Sequence, residues 1–284
     1  GAARIFERGS VKRTGRVERL TRALNRLGPT YVKFGQTLAT RPDLVGPEIA
    51  ADLSALQDQM EPFDPKLVPQ ILRDALKEHA DDLLELSPPI AAASIAQVHR
   101  ATLIDRNGFK RQVAVKILRP GIEEAFARDI DLMAWIAEWI ERSQPRLRRF
   151  KPLAVVKTFR AMVRVEIDLR LEAAAAAELA ENFAGDATYR VPRVDWRRTT
   201  RRALTLERLT GIRMDDRAGM LAAGIDIDLA LSRAAAIFFK QAFRDGFFHG
   251  DQHPGNMFVD LEGNIGAVDF GIMGRLDRKT RYYL

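Results

Sequence analysis

Cysteine is absent from all 284 residues. Disulfide scaffolds, thiolate zinc sites, iron–sulfur clusters and cysteine nucleophiles are therefore excluded. Histidine is scarce: His79, His99, His249 and His253 are the only four, so imidazole chemistry has few places to reside. No stretch reaches the ~18–20 uninterrupted apolar residues that span a bilayer. The nearest runs, around Leu132–Ile140 and Ala234–Phe239, are short or broken by charge. The N-terminus has no apolar stretch of the signal-peptide kind, and a chain that begins without methionine and stops after Tyr283-Leu284 reads as trimmed or incomplete. What remains, 46% hydrophobic and 29% charged, is a globular composition long enough for two packed lobes.

The net charge of +7 is unevenly placed. Residues 1–41 hold ten Lys/Arg against Glu7 and Glu18, leaving 35 basic and 36 acidic residues for everything else. Arg13, Arg16, Arg19, Arg22 and Arg26 recur at steps of three and four, interleaved with Val17, Leu20, Leu24 and Leu27. That spacing predicts an amphipathic helix with a cationic face. Such a face either packs on the body with its arginines in water or docks on an anionic membrane surface. No aromatic residues interleave the basic ones, so nucleic acid is not the expected partner.

The Gly28-Pro29 pair ends the first helix, and helices are predicted over Tyr31–Thr40, from Pro47 onward, and over 65–79. Ser87-Pro88-Pro89 marks a boundary. Strands are expected at Ile95–Thr102 and Gln112–Leu118, helices at 120–143 and 152–184, strands near Tyr189–Val194 and Arg202–Leu209, and a helix over Leu229–Asp245. No internal repeat is visible. The resulting segments are a helical extension (1–87), a sheet-bearing lobe with a helical insertion (88–210) and part of a second lobe (211–284).

The most informative stretch is His249-Gly250-Asp251-Gln252-His253-Pro254-Gly255-Asn256, followed by two short apolar strands around Glu262-Gly263. A two-residue hairpin there would set Asn256 opposite Asp269, with Asp251 on the same edge. An amide oxygen and a carboxylate at one hairpin end can chelate Mg²⁺, while a second carboxylate orients a hydroxyl or water. Asp251 to Asn256 has the spacing of a protein-kinase catalytic loop, and Asp269-Phe270-Gly271 is a D-F-G element. A metal pair of His249 and His253 with Asp251 lacks further ligands nearby; one histidine is expected to support the loop and the other to pack or hydrogen-bond near it.

Upstream, Val113-Ala114-Val115-Lys116 sets a lysine on an apolar strand. A buried lysine needs an anionic partner, which nucleotide phosphates and a helix glutamate would supply. Where a common kinase carries G-x-G-x-x-G, this chain has Ile90-Ala91-Ala92-Ala93-Ser94-Ile95-Ala96-Gln97-Val98. Alanine still lets backbone N–H groups approach phosphate, in a stiffer loop.

These residues resemble the UbiB family of atypical, protein-kinase-like proteins linked to ubiquinone biosynthesis. The resemblance runs from about Gly28 to the end. Its motifs are Lys33-Phe34-Gly35-Gln36 (K-x-G-Q), Ala91–Ser94, Val113–Lys116, Glu166-Ile167-Asp168 (E-x-D) with Glu172, His249–Asn256 and Asp269–Gly271. The resemblance implies an α+β, two-lobed kinase-like fold with an N-terminal helical extension and a second lobe incomplete in this chain. It implies ATP and Mg²⁺ as cofactors, Lys116 pairing with Glu172 and phosphate, Asp251 as the catalytic-loop carboxylate, and Asn256 with Asp269 on the metal. Ile90–Ser94 and Val98 would line the nucleotide, and Glu207 and Leu209 would form the hinge at adenine. Lys33 and Gln36 would cover the peptide groove, with Glu166 and Asp168 beside them.

The implied activity is ATP turnover in an accessory or regulatory role near a polyprenylphenol hydroxylation step, since no flavin fingerprint or oxygen-binding metal set is present for hydroxylation itself. Implied partners are an anionic membrane, a prenylated phenolic lipid or ubiquinone-biosynthesis proteins. The implied location is the cytoplasmic face of the bacterial inner membrane, the family's membrane helices lying beyond this chain's end. A small-molecule phosphotransferase of the aminoglycoside or choline kinase type shares H-G-D-x-x-x-x-N but not K-x-G-Q or the alanine run. A nucleotide-gated lipid- or protein-binding module is disfavoured by the intact Lys116, Glu172, Asp251, Asn256 and Asp269 set.

Overall fold

A computed structural model describes residues 22–54, 56, 60–104 and 108–283; the arm positions Arg13, Arg16 and Arg19 lie outside them. In chain order the elements are α1 (Pro29–Ala39), α2 (Pro42–Val45), α3 (Pro47–Leu53), α4 (Val68–Leu76), β1 (Leu83–Leu84), β2 (Pro89–Ala92), β3 (Ala96–Ile104), β4 (Lys110–Leu118), α5 (Ile122–Ser143), α6 (Pro152–Glu166) and α7 (Leu169–Asn182). Then come β5 (Tyr189–Arg190), β6 (Ala203–Glu207), β7 (Ile212–Arg213), α8 (Arg217–Ala222), α9 (Ile227–Phe239), β8 (Phe247–His249), β9 (Met257–Val259), β10 (Ile265–Ala267), β11 (Met273–Arg275) and α10 (Arg278–Tyr283). A π-helical turn, Lys240–Asp245, continues α9. Among the described residues, no helix is long and apolar enough to cross a membrane.

The chain forms two compact units, each assembled from several separate stretches of the sequence. The first takes the described residues of Gly1–Pro65, Pro89–Gln97 and Leu118–Ile167. Prolines open α1, α2, α3 and α6, where the missing N–H has no helical partner to lose. Along α5, Ile122, Phe126, Ile130, Met133 and Ala137 recur at steps of three and four and are all buried. They face α6, which buries Val156, Phe159 and Val163. Phe34 of α1 meets Phe159 edge-on, with ring centroids 5.0 Å apart. Gly35 lets α1 approach closely: a Cβ there would fall 2.5 Å from Leu56 Cδ1.

The second unit takes Lys66–Pro88, Val98–Ile117 and the described residues from Asp168 onward. Its larger sheet runs β1-β3-β4-β6, with β4 and β6 antiparallel. A smaller sheet runs β5-β10-β9-β7, and β8 pairs with β11. The apolar core between α7, α9 and the smaller sheet includes Leu179, Phe183, Ile237, Val259, Ile265 and Phe270.

The helix predicted over 152–184 is two helices. Ile167 ends α6, and Asp168, in extended conformation, caps α7 by accepting the Arg170 N–H at 3.2 Å. The break escapes periodicity because Leu169 and Ala173 are buried and continue an apolar pattern through it.

Candidate active site

Strand alternation aims Lys116. Val113, Val115 and Ile117 are fully buried on one face of β4, which leaves Ala114 and Lys116 on the other. Lys116 Nζ lies 3.0 and 2.9 Å from the two Glu172 oxygens and 3.4 Å from Asp269 Oδ1. Glu172 sits in the first turn of α7, where the helix N-terminus favours a carboxylate. Burial alone would lower the Lys116 pKa, but Asp269 and Glu172 outweigh it and hold the ammonium above the ordinary lysine value. Burial pushes Glu172 up, opposed by the Lys116 charge.

The His249–Asn256 loop is built by local hydrogen bonds. His249 is buried, and its Nδ1 accepts the Asp251 N–H at 3.2 Å. His253 caps the next turn, its Nδ1 accepting the Gly255 N–H at 3.0 Å. Both histidines therefore shape the loop. Asn256 Nδ2 approaches Asp251 Oδ2 at 3.4 Å, so the loop's two polar ends face each other. The D-F-G segment is stitched to this loop: the Gly250 N–H donates to Ile272 O at 2.8 Å, and the His249 and Phe270 rings lie 5.6 Å apart. The support sequence reasoning missed is Gln241, fully buried, whose Oε1 accepts the His249 N–H at 2.9 Å. Nothing in the sequence marks it, because a π-helical turn presents it.

The hairpin register differs by one from the expected pairing. Met257 pairs with Ala267 and Val259 with Ile265, and the Val268 N–H donates to Asn256 O at 2.9 Å. Asn256 therefore faces Val268, with Asp269 one residue further on. The cause is a three-residue loop, Leu261–Gly263, closed by Asp260 and Asn264: the Asp260 N–H donates to Asn264 O at 3.0 Å, and Asp260 Oδ1 accepts the Asn264 N–H at 2.7 Å. Gly263 takes the left-handed conformation, φ +77°, that such a loop needs. Asp269 is itself left-handed, at φ 63°, and its Oδ1 accepts the Gly271 N–H at 3.2 Å. That conformation is uncommon for a residue with a Cβ, and it aims the carboxylate at Lys116.

The remaining predicted residues fall as follows. In the first unit Lys33 Nζ pairs with Glu166 Oε2 at 2.9 Å, both side chains largely buried. Gln36 Nε2 reaches Leu56 O at 3.5 Å. Ile90, Ala91 and Ala92 belong to β2, while Ala93 and Ser94 form a tight turn in which the Ala93 N–H donates to Ala96 O at 2.8 Å. Arg119 Nε donates to Ala93 O at 2.9 Å and fastens that turn. In the second unit Asp168 is engaged by Arg170 at 2.6 and 2.8 Å. Val98 is part-buried in β3. The Glu207 N–H donates to Arg193 O at 2.8 Å and its carboxylate pairs with Arg190 at 2.5 Å, so the side chain has a structural engagement of its own. Leu209 lies over Gly266, where a Cβ would come within 3.0 Å of its Cδ1.

Among the described residues, no three His, Asp or Glu side chains are grouped to hold a metal by themselves. The oxygen donors of Asn256 and Asp269 suit a hard cation that takes its other ligands from phosphate and water, as Mg²⁺ does with nucleotides. An antiparallel sheet carrying a glutamate-paired lysine, together with the His249–Asn256 loop and the Asp269-Phe270-Gly271 segment, defines a protein-kinase-like fold.

Comparison with known proteins agrees. Residues 55–284 match the ABC1 atypical kinase-like domain, and the chain belongs to that family. It is 44% identical over 275 residues to a "Probable protein kinase UbiB" of Xanthomonas campestris pv. campestris (strain B100), covering 94% of this chain and 49% of that protein. The same-named protein of Xanthomonas oryzae pv. oryzae (strain MAFF 311018) is 43% identical over the same length and shares. The chain thus spans about half the length of these curated relatives. Among solved structures, Rv3197 of Mycobacterium tuberculosis in its complex with erythromycin is similar at a TM-score of 0.64 and 25% identity, over 96% of this chain and 66% of that one.

Proposed function

We propose that this chain binds ATP with Mg²⁺ and hydrolyses it, as an atypical kinase-like component of ubiquinone biosynthesis that supports the polyprenylphenol hydroxylation step. The observation that carries this reading is the Lys116–Glu172–Asp269 cluster, an ammonium held between two carboxylates from three separate elements. In this reading Lys116 binds phosphate oxygens, Glu172 fixes its amine, Asn256 and Asp269 hold the cation, and Asp251 orients the attacking water. The cation, when bound, supplies charge neutralisation at the phosphates. The turn at Ile90–Ser94, Val98 and the Glu207–Leu209 segment form the nucleotide's other contacts. Lys33 and Gln36, with Glu166 paired to Lys33, are regulatory residues in this reading, and Asp168 acts by starting the helix that carries Glu172. The acceptor in this reading is water or a small headgroup and not a folded protein substrate. The chain works in this reading at the cytoplasmic face of the bacterial inner membrane, beside a prenylated phenolic lipid.

The test is nucleotide turnover together with radiolabel transfer from [γ-³²P]ATP to candidate proteins, with and without anionic liposomes carrying a phenolic prenyl lipid. Phosphate release without labelled protein is expected. Stoichiometric labelling of a partner by the unmodified protein would replace the hydrolase reading with that of a protein kinase.

A further inference from the structure

Behind the loop that carries Asp251, the second unit buries two polar atoms that the protein itself does not satisfy. Gln241 is 0% and His249 3% exposed. Among the described residues, neither Gln241 Nε2 nor His249 Nε2 has a hydrogen-bond partner. The bonds at the other end of each side chain identify both atoms as donors. Gln241 Oε1 accepts the His249 N–H at 2.9 Å, which turns the NH₂ of the carboxamide away from that backbone. His249 Nδ1 accepts the Asp251 N–H at 3.2 Å, so in the neutral ring the proton sits on Nε2. Buried donors of this kind almost always find an acceptor in protein or in ordered water.

Both residues line one small cavity among α9, its π-helical turn, β8 and the smaller sheet, with about 10 Å³ open to a water's centre. That is the room of a single water. Tyr189, Ala234 and Gln252 belong to the same wall. Burial pushes the Tyr189 phenol above its ordinary pKa, against the pull of the Gln241 side chain, so phenol and carboxamide are neighbours. A purely apolar cavity stays dry even when it is much larger, because nothing in its wall replaces the bonds a water leaves behind. This wall supplies two N–H donors, with Tyr189 and Gln252 as further polar side chains, and so meets the two to four partners that a buried water needs.

We infer that one water is built into this cavity, its oxygen accepting from Gln241 Nε2 and His249 Nε2, and that Gln241 acts through it as a positioning residue for Asp251. The water sets the tautomer of His249. With an acceptor at Nε2 the proton stays there, and the Nδ1 lone pair is left for the Asp251 N–H. In the other tautomer Nδ1–H would face the Asp251 N–H, donor against donor, and that end of the loop would be released. Gln241 thereby serves His249 twice, its backbone directly through Oε1 and its ring through the water. The water's own hydrogens are available to the Tyr189 hydroxyl and to Gln252, the residue after Asp251. The inference does not rest on the nucleotide reading, because tautomer and water are read without ATP; either can fail alone.

The chain has four histidines, so their ring nitrogens are separable by long-range ¹H–¹⁵N correlation on the unmodified protein. With the rings neutral, His249 is expected with Nε2 protonated and Nδ1 bare. Its Nε2–H should show a rotating-frame Overhauser peak to water, of opposite sign to chemical exchange. A crystal structure should hold one ordered water within hydrogen-bond distance of both Nε2 atoms. Ala234→Val fills the cavity and keeps both polar side chains; it should lose the water peak. The Asp251 amide should then exchange with solvent roughly tenfold faster, the equivalent of one net hydrogen bond. Gln241→Met should lose the water peak and populate both tautomers of His249. The measurements on the unmodified protein decide the matter even where a variant does not fold. An Nδ1–H tautomer, an Nε2–H without water contact, a protein group bonded directly to both Nε2 atoms, or unchanged Asp251 exchange in folded Ala234→Val would each overturn the inference.

Discussion

Lys116→Met keeps most of the side chain's length and removes its charge. Glu172, 7% exposed, then has both oxygens facing an alkyl thioether where an ammonium stood 2.9 and 3.0 Å away. Breaking one partner out of a buried pair costs about 3–5 kcal/mol. Half-exposed Asp269 is rehydrated more cheaply, so about 3 kcal/mol is expected, with thermal midpoints falling ~2–4 °C for each kcal/mol. The pH dependence has a definite sign. Burial already raises the Glu172 pKa against the pull of Lys116, and without that pull it rises further. A carboxyl whose folded pKa is raised stabilises fully below its unfolded pKa and loses that contribution as pH climbs through the folded one. Lys116→Met therefore loses stability from about pH 4 upward more steeply than the unmodified protein, and adding Glu172→Gln removes the extra slope. Lys116 itself, its pKa raised, contributes fully below the ordinary lysine value and fails only in alkali. Urea midpoints at pH 5, 6.5 and 8 for both single variants and the double measure this. Single-variant effects that sum within ~0.5 kcal/mol, or parallel pH curves for Lys116→Met and the parent, would refute the coupled pair.

Asp269→Asn should keep the fold, since asparagine tolerates the left-handed backbone, and abolish Mg²⁺-dependent ATP binding; calorimetric titration reads both. Gly35→Ala should destabilise by ~1–3 kcal/mol in denaturant melts despite alanine's better helix propensity, because its Cβ would press on Leu56. Lys33→Ala leaves the largely buried Glu166 without its ammonium and, in the proposed function, should raise nucleotide access or self-phosphorylation, seen by radiolabel. Changing Arg13, Arg16, Arg19 and Arg22 to glutamine should weaken co-sedimentation with anionic liposomes by roughly 1 kcal/mol per residue in contact, an effect that salt diminishes.

The chemistry-bearing segments were legible because they are local. Asn256 follows Asp251 by five positions, and strand alternation alone points Lys116 away from Val113 and Val115. What distance in the chain hides is harder. Lys33 and Glu166 meet only in the fold, and by spacing alone each reads as an ordinary polar helix residue. The hairpin register turned on Asp260 and Asn264 closing a three-residue loop, whereas Glu262-Gly263 reads locally as a two-residue turn. The break at Asp168 was masked because a capping aspartate and buried Leu169 follow the same spacing as an uninterrupted helix. Gly35 reads as a weak point in a helix until the packing of Leu56 supplies its reason.

The π-helical turn at Lys240–Asp245 makes chain length itself a constraint on the loop that carries Asp251. Such a turn accommodates a residue more than an α-helical one, and eight positions separate Gln241 from the His249 N–H it receives. Substituting side chains at the turn's exposed positions, Phe243 and Arg244 among them, leaves that count unaltered. Deleting a single residue between Gln241 and His249 would let the segment relax to α-helical bonding and carry the histidine out of register. An alignment gap in this stretch of a related sequence would therefore mark a reorganised His249–Asn256 loop even where H-G-D and D-F-G are spelled intact.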